Sequence, residues 1–299
     1  MKDSYHKTSL ERFCWLFGVS RQAYYQHGWD DQAEGIAEEL IVKQVSKIRE
    51  KHHCMGGRKL YEMLGPFMHE HGINMGRDRL FDLLAAHKLL VRRRRRKVST
   101  TQSWHKFHKY PNLIKGFIPQ SPNELWVSDI TYLRTVKGFY YISFITDAYS
   151  HKIVGYHIAN NLGTIATVQA LKMALNTLGT PEKPLIHHSD RGVQYCSEEY
   201  VKLLRKEKIF ISMTESGDPR ENAVAERLNG IIKQEYMAFC QITSLNRAKA
   251  LLEQSVYLYN HERPHQSIGM MTPLKVHQNN ITAKRLWKTK TNFVNQCQD

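Results

Sequence analysis

The N-terminal third of the chain repeats its apolar side chains at helical intervals. This pattern predicts three helices, at about residues 36–53, 58–70 and 77–87. Before them, a short helix, a Gly18-Val19 turn and a second helix capped by Ser20 have the outline of a very short helix-turn-helix. The pattern indicates a small all-α region, either a DNA-binding bundle or a helical packing domain.

From Glu124 onward the pattern becomes typical of strands. Three runs of β-branched and aromatic residues, LWVSDITYL, FYYISFITDA and KIVGYHIA, are separated by short polar turns, which predicts antiparallel pairing. Two shorter strands, PLIHHSD and IFISM, then alternate with helices. These helices are predicted at about residues 164–178, 198–207, 223–238 and 245–260. The order β-β-β-α-β-α-β-α predicts an α/β protein with a ribonuclease-H-like core, built on a mixed five-stranded sheet with flanking helices.

These elements divide the chain into five predicted segments. A helix-turn-helix-like element at 1–35 precedes a helical domain at 36–97, and a linker at 98–119 leads to the core at 120–278 and a tail at 279–299. The Ser/Thr/Gln/His-rich stretch STTQSWHKFHKY marks the linker.

Charge adds a candidate partner. The chain has 43 Lys and Arg against 28 Asp and Glu, for a formal net charge of +15. An excess of this size indicates a polyanionic partner such as nucleic acid, although solvated basic faces would give the same count. A run of like charges between the two regions is expected to follow a phosphate backbone. The run consists of Arg92, Arg93, Arg94, Arg95, Arg96 and Lys97.

The composition also bounds the location. The five cysteines are scattered, with no C-x-x-C pair, which fits a reducing cytosol. No apolar stretch approaches the length of a membrane span, and no secretory signal is recognisable. We therefore expect a soluble, intracellular protein without a membrane partner.

Three acidic residues are the candidate catalytic groups. Asp129 lies inside a buried strand, where a charge is expected only if it is paired or binds a metal ion. Asp190 ends the next buried strand, and Glu226 follows on a helix after 35 intervening residues. Mg²⁺ (or Mn²⁺) prefers such oxygen ligands, and two ions per site can activate one oxygen and stabilise the leaving one. We predict that all three carboxylates are catalytic and bind metal, with Asp129 shared between both ions.

The motifs WVSDITYL, HHSDRGVQY and ENAVAERLNGIIK resemble, in order and spacing, those of integrase-core (DDE, retroviral-integrase-like) transposases of bacterial insertion sequences. The similarity is to the type encoded by the downstream reading frame, and it covers nearly the whole chain. It implies cleavage of DNA at the terminal inverted repeats and transfer of the 3′-hydroxyl end to target DNA. It also marks Lys233, seven positions after Glu226, as a DNA-binding residue. The loop Asp218-Pro219-Arg220-Glu221 departs from the Asn-Pro-Tyr-Asp-like pattern of the family, which leaves the role of that loop open.

The resemblance also bears on partners and alternatives. It implies a cytoplasmic, nucleoid-associated bacterial protein. As partners we expect double-stranded DNA, a homo-oligomer assembled on it, and an upstream-frame DNA-binding protein or its fusion. Two other functions are weighed: a ribonuclease-H-like nuclease and a domesticated, non-catalytic DNA-binding regulator. The helical region and the Asp-to-Glu spacing disfavour the nuclease, and the intact acids disfavour the regulator.

Other motifs are interpreted as structural. Asp147 is predicted to cap a turn at the end of its strand, and the role of His188 stays open between packing and function. The string His261-Glu262-Arg263-Pro264-His265 matches a zinc-protease pattern, but Pro264 is expected to end the helix that such a site requires. Nor do His52, His53 and Cys54 predict zinc, since no second cysteine pair follows.

Overall fold

The computed structural model describes residues 9–91, 108–135, 138–179, 183–215 and 219–281. They fall into two compact units. One comprises residues up to Glu50 together with Gly56–Val91, and the other comprises Lys51–Met55 and the residues after Val91. Within the described ranges, no helix is both long and apolar enough to cross a membrane.

The first unit is all helical. Its helices are α1 (Leu10–Leu16), α2 (Arg21–Lys51, whose last residue belongs to the second unit), α3 (Gly57–Glu70) and α4 (Arg77–Ala86). The predicted cap of the second helix is confirmed, because the Ser20 hydroxyl oxygen accepts a hydrogen bond of 3.0 Å from the Ala23 amide. Apolar side chains on three helices are fully buried in the core: Ile41, Val45, Leu60, Leu64, Leu80 and Leu84.

The predicted boundary between residues 35 and 36 is wrong. Helix α2, which is 31 residues long, runs through this boundary without a break. No proline interrupts this stretch, and an isolated glycine such as Gly35 weakens a helix without ending it. The Arg79 guanidinium of α4 also bonds the carboxylates of Glu34 and Glu38, one on each side of the expected boundary.

The second unit contains a five-stranded mixed sheet. Its elements, in chain order, are β1 (Leu125–Thr135), β2 (Gly138–Asp147), β3 (Ile153–Ala159), α5 (Thr164–Asn176), β4 (Ile186–Ser189), α6 (Glu198–Lys206), β5 (Phe210–Met213), a 3-10 turn (Pro219–Asn222), α7 (Ala223–Ile231), a π-helix (Ile232–Met237), α8 (Leu245–His261), a 3-10 turn (Gln266–Ile268) and α9 (Pro273–Asn279). The strand order is β3-β2-β1-β4-β5, with β1 antiparallel to β2 and parallel to β4. The predicted fold class is confirmed.

Helices cover both faces of this sheet. On one face α7, the π-helix and α8 bury side chains such as Leu228, Ile232 and Val256 against the strands. On the other, α5 and α6 pack around Trp126 and Leu171. Successive strand residues point to opposite faces, so β1 contributes side chains to both cores.

Close packing of α5 on the sheet depends on one glycine. A Cβ atom added at Gly155 in β3 would lie 2.2 Å from the carbonyl oxygen of Ala170 in α5. No other residue type fits there unless the helix moves.

Two polar side chains, Asn260 and Asp147, hydrogen-bond to the backbone at the start of β3 and in the turn that precedes it. The Asn260 amide, on α8, bonds both the amide and the carbonyl of Ile153, each at 3.0 Å. Asp147 has the turn-capping role predicted for it: its carboxylate accepts from the amide of Ser150 at 2.7 Å and from the amide of Asn123 at 2.7 Å. Neither residue is available for catalysis.

The chain after α8 confirms the helix end predicted before Pro264. Helix α8 ends at His261, so His261 and His265 do not share a helical face. Arg263 is 1% exposed and forms a two-pronged ion pair with Glu235 of the π-helix, at 2.9 and 2.7 Å. The HERPH string therefore anchors the segment after α8 to the core.

Candidate active site

The sheet register brings the two predicted aspartates side by side. Ser128 of β1 pairs with Ser189 of β4 in parallel, and this is the last pair between those strands. Asp129 and Asp190 each follow one residue later. Asp190 therefore lies at the carboxyl end of β4, where open sheets place their ligands, and Asp129 lies beside it within β1, which continues to Thr135.

Asp129 lies in an environment that opposes its ionisation. Burial raises its pKa to about 7, and the nearby charges of Asp190 and Glu226 add to the rise. Two donors act the other way: the Ile130 amide at 2.9 Å and the Asn229 side-chain amide at 2.6 Å. The charges of Asp190 and Glu226 thus act on the pKa of Asp129 in the same direction as its burial.

Asp190 is oriented by the turn that follows β4. Its Oδ1 atom accepts a hydrogen bond of 3.0 Å from the amide of Gly192. A Cβ atom at Gly192 would lie only 3.0 Å from that same oxygen, so a larger residue would crowd the carboxylate. This Asx-type turn fixes the orientation of the Asp190 carboxylate.

Helix α7 carries Glu226 between two asparagines. Asn222 is the N-cap residue four positions before Glu226, and Asn229 follows Glu226 by three residues, so Glu226 and Asn229 share one face of the helix. Asn222 donates to the Ser128 carbonyl at 2.9 Å, and Asn229 donates to Asp129. These bonds fasten the helix to β1 on both sides of Glu226.

The two asparagines are functional neighbours that the sequence analysis did not assign. Their spacing around Glu226 was the available signal, but an amide on a helix face has many possible partners. Both are nearly buried, and their Oδ1 atoms have no hydrogen-bond partner among the described residues. Two acceptor oxygens thus remain beside the carboxylates.

The residue types fit a divalent cation, although no cage is preformed. Among the residues that the structure describes, no three His, Cys, Asp or Glu side chains are already grouped so as to hold a metal ion. Mg²⁺ usually binds through only one or two carboxylates plus water and phosphate, so a tight protein cage is not required. A cation bound there would favour the ionised form of Asp129, which burial and the charges of Asp190 and Glu226 oppose.

Lys233 approaches the site from the π-helix. Its Nζ atom donates to the Thr131 hydroxyl at 3.0 Å and lies 4.7 Å from the centre of the Tyr132 ring. Burial lowers its pKa, and the charge of Asp129 opposes that change. Lys233 is therefore a half-buried cation beside β1 rather than a solvated surface lysine.

His188 is a buried residue of β4. Its Nδ1 atom is 2.9 Å from the Ser212 hydroxyl, and burial lowers its pKa to about 4. The backbone and carboxylate of Glu221, in the 3-10 turn before α7, oppose that shift. A neutral imidazole beneath this turn has a packing role, so His188 belongs with the support of the site.

Two predictions fall wholly or partly outside the described residues. The basic run Arg92–Lys97 lies in the undescribed interval between Val91 and His108, and so do the linker boundaries at 97 and 98. Of the loop at 215–222, residues 216–218 are not described. At its ends, the Glu215 amide donates to the Glu221 carboxylate at 2.7 Å.

Comparison with known proteins finds matches over the core and over most of the chain. A family model described as "Integrase core domain" matches residues 119–219, and a second with the same description matches residues 207–273. The HTLV-2 integrase catalytic core, solved in complex with magnesium, is 22% identical over 52% of this chain and 97% of that chain, with a TM-score of 0.43.

Two curated relatives from Shigella sonnei match most of the chain. The "Insertion element IS600 uncharacterized 31 kDa protein" is 34% identical over 87% of this chain and 95% of its own length. The "Transposase for insertion sequence element IS629" is 30% identical over 81% of this chain and 80% of its own length. The chain therefore belongs to the integrase-core transposases of bacterial insertion sequences, which are DNA-joining enzymes.

Proposed function

We propose that Asp129, Asp190 and Glu226 are the catalytic and metal-binding carboxylates of this DNA transposase. The observation that carries the proposal is the joint position of the three acids. Two follow a shared strand pair, and the third lies on a helix that hydrogen-bonds to Asp129 through Asn229. In the proposed reaction, water first cleaves a phosphodiester at the element end. The liberated 3′-hydroxyl then attacks a phosphodiester of the target and displaces its 3′ oxygen.

The integrase core family is metal-dependent, and we propose Mg²⁺ or Mn²⁺, two ions per site, for this member. Bound there, the ions would activate the attacking oxygen and stabilise the departing one. Asp129, Asp190 and Glu226 would hold these ions. Asn229 would orient the Asp129 carboxylate through its hydrogen bond. Asn222 would hold the start of α7 against β1.

Transposases act on DNA, and we propose the following DNA and protein partners for this chain. We propose that the chain recognises the terminal inverted repeats of its own element and works as a homo-oligomer that joins two ends to target DNA. An upstream-frame DNA-binding protein, separate or fused, is a further proposed partner. Lys233 and the basic run Arg92–Lys97 are the proposed phosphate contacts, because both offer cations to a polyanion.

The test is replacement of each acid by its amide. Asp129→Asn, Asp190→Asn and Glu226→Gln keep the side-chain shape but cannot neutralise a metal pair. We expect each to lower the rate of Mg²⁺- or Mn²⁺-dependent end cleavage by at least a thousandfold, an order of magnitude typical for essential catalytic groups. Binding of end-bearing DNA, measured by fluorescence anisotropy, should change little.

Glu199→Gln provides the matched control. Glu199 is an exposed carboxylate of α6 in the same unit, so its loss should leave cleavage unchanged. Near wild-type cleavage by any one of the three amide variants would remove that residue from the proposed site.

A further inference from the structure

At the end of the β1–β2 ribbon beyond its pairing with β4, one face carries exposed aromatic side chains. In the register of the two strands, Tyr132 faces Tyr141 and Arg134 faces Phe139. All four side chains lie on the same side, because residues two apart in a strand share a face. Tyr132 and Phe139 are each 48% exposed, whereas Leu133 and Ile142 on the opposite side are buried.

This composition is unusual for an outward face. Antiparallel ribbons with one face on a core normally show polar side chains to water. Here the rings of Tyr132 and Phe139 lie 5.7 Å apart at 87° to each other. Two large rings set edge to face leave ring surface available for a third planar group.

Cations accompany the rings. The Nζ atom of Lys233 lies over the Tyr132 ring at 4.7 Å, and Arg134 is exposed between the two aromatic positions. Aromatic side chains interleaved with Lys and Arg are typical of surfaces that hold single-stranded nucleic acid, where bases stack on rings and phosphates meet cations.

The platform, defined here as Tyr132, Arg134 and Phe139, starts close to the candidate catalytic residues. Tyr132 follows Asp129 by three residues, which corresponds to about 10 Å along a strand. Beyond the Ser128–Ser189 pair, β1 is bonded only to β2 among the described strands, so its other edge is open. Lys233 spans this edge, bonded to Thr131 on the Asp129 face and lying over Tyr132 on the platform face.

We propose that the platform stacks an unpaired nucleobase of the DNA end whose phosphodiester is held at Asp129. This proposal rests on the proposed function and adds a base-binding subsite to it. A distance of about 10 Å along β1 separates Asp129 from the platform, and a base can stack on the rings only if it leaves its pair. The DNA end must therefore be frayed over that short interval.

A fluorescent base analogue tests the stacking directly. The probe is a duplex with a short single-stranded extension that contains 2-aminopurine, and a blunt duplex with the same base paired serves as reference. The full-length wild-type protein, without divalent metal, should quench the extension. Tyr132→Ala and Phe139→Ala should each lose most of the quenching and bind the extended duplex about tenfold more weakly, within the range for one base–aromatic stack.

Specificity of the effect comes from three comparisons. Tyr132→Trp should restore quenching, because a larger ring still stacks. Tyr257→Ala removes an equally exposed aromatic from α8, 54% exposed, and should behave as wild type. The salt dependence of affinity should be unchanged by Phe139→Ala, since stacking releases no counterions.

Several results would overturn the proposal. These are retained quenching in both alanine variants, an equal loss of affinity for the extended and blunt duplexes, or loss of self-association in light scattering with quenching intact. The last would assign the platform to a protein contact. Failure of the proposed function is separable: it would appear as wild-type protein that binds DNA ends but cleaves none with Mg²⁺ or Mn²⁺, whereas the stacking assay uses no metal.

Discussion

Asp129 combines two demands that conflict in the absence of a cation. Its position after a buried strand pair raises its pKa to about 7, while metal binding requires the ionised form. A carboxyl whose pKa is raised on folding stabilises the protein fully only below its ordinary pKa, 3.8. That contribution is lost as the pH rises through about 7.

The resulting prediction concerns stability without metal. Asp129→Asn removes the ionisable group, so the variant should gain free energy of unfolding relative to wild type as the pH increases from 5 to 8. The interval of about two pH units below the raised pKa corresponds to about 3 kcal/mol. Urea denaturation of metal-free protein at both pH values measures the difference, with Glu199→Gln as control. A difference that does not change with pH would contradict the prediction.

Among single residues, the sequence pointed to the three candidate acids but not to the side chains that hydrogen-bond around them. The spacing of Asp129, Asp190 and Glu226 is written in the chain, and the sheet register then brings the first two together. The hydrogen bonds of Asn222 and Asn229 depend on how closely α7 approaches β1, which no local pattern encodes. The exposure of Tyr132 and Phe139 was not predicted either, because aromatic residues in a strand usually indicate core positions.

At the scale of elements, local signals predicted most helix ends to within a residue or two. The second core helix after the loop was predicted at about residues 245–260 and runs Leu245–His261. Its start is fixed by a local contact, because the Ser244 hydroxyl accepts from the Arg247 amide at 3.2 Å. The π-helix at Ile232–Met237 was not predicted, since its wider turn is a response to tertiary packing that includes the Arg263–Glu235 ion pair.

Lys233 is the second residue of that π-helix, and its expected role follows from its place there. A cation held beside Asp129 can fix a DNA phosphate, and a displacement of about 1 Å at the reacting atoms can cost on the order of a hundredfold in rate. We expect Lys233→Ala to slow end cleavage about tenfold. Joining of a pre-cut 3′-hydroxyl end should slow on the order of a hundredfold. Gel assays with the element's own end measure both steps.

Lys249→Ala, which removes an exposed lysine of α8, is the control for that experiment. Calorimetric titration with Mn²⁺ in the absence of DNA should be unchanged by Lys233→Ala. End joining at the wild-type rate would show that Lys233 serves only to bond Thr131 and pack on Tyr132.

At the scale of the whole molecule, the main property is the net positive charge of the chain. The excess of 43 basic over 28 acidic residues suits a protein that must hold long stretches of phosphate. Composition alone also fitted solvated basic faces, so the partner class was predicted only together with the motifs. Domain boundaries were harder to predict. The helical period of residues 21–51 contains no strong stop signal, so the division at residue 35 had no physical basis in the fold.

The basic run provides the test of this charge effect. Replacing Arg92–Arg96 by glutamine should weaken binding to all DNA sequences alike, by about tenfold or more at moderate salt. It should also reduce the slope of log affinity against log salt by up to about 0.9 for each phosphate that the variant no longer neutralises. Replacement by lysine keeps the charge and should preserve the slope. A selective loss of end recognition at unchanged general affinity would instead indicate binding to base edges.

The strand order of the sheet has a consequence for the timing of activity during synthesis. The hairpins β1–β2 and β2–β3 join neighbours in sequence, so they can form early, but the Ser128–Ser189 pair must wait for α5 and β4. Glu226 leaves the ribosome later still, and α8, which completes the core over β3, follows it. A nascent or truncated transposase therefore has no assembled carboxylate site. We expect cleavage of host DNA only after Glu226 and α8 have been synthesised.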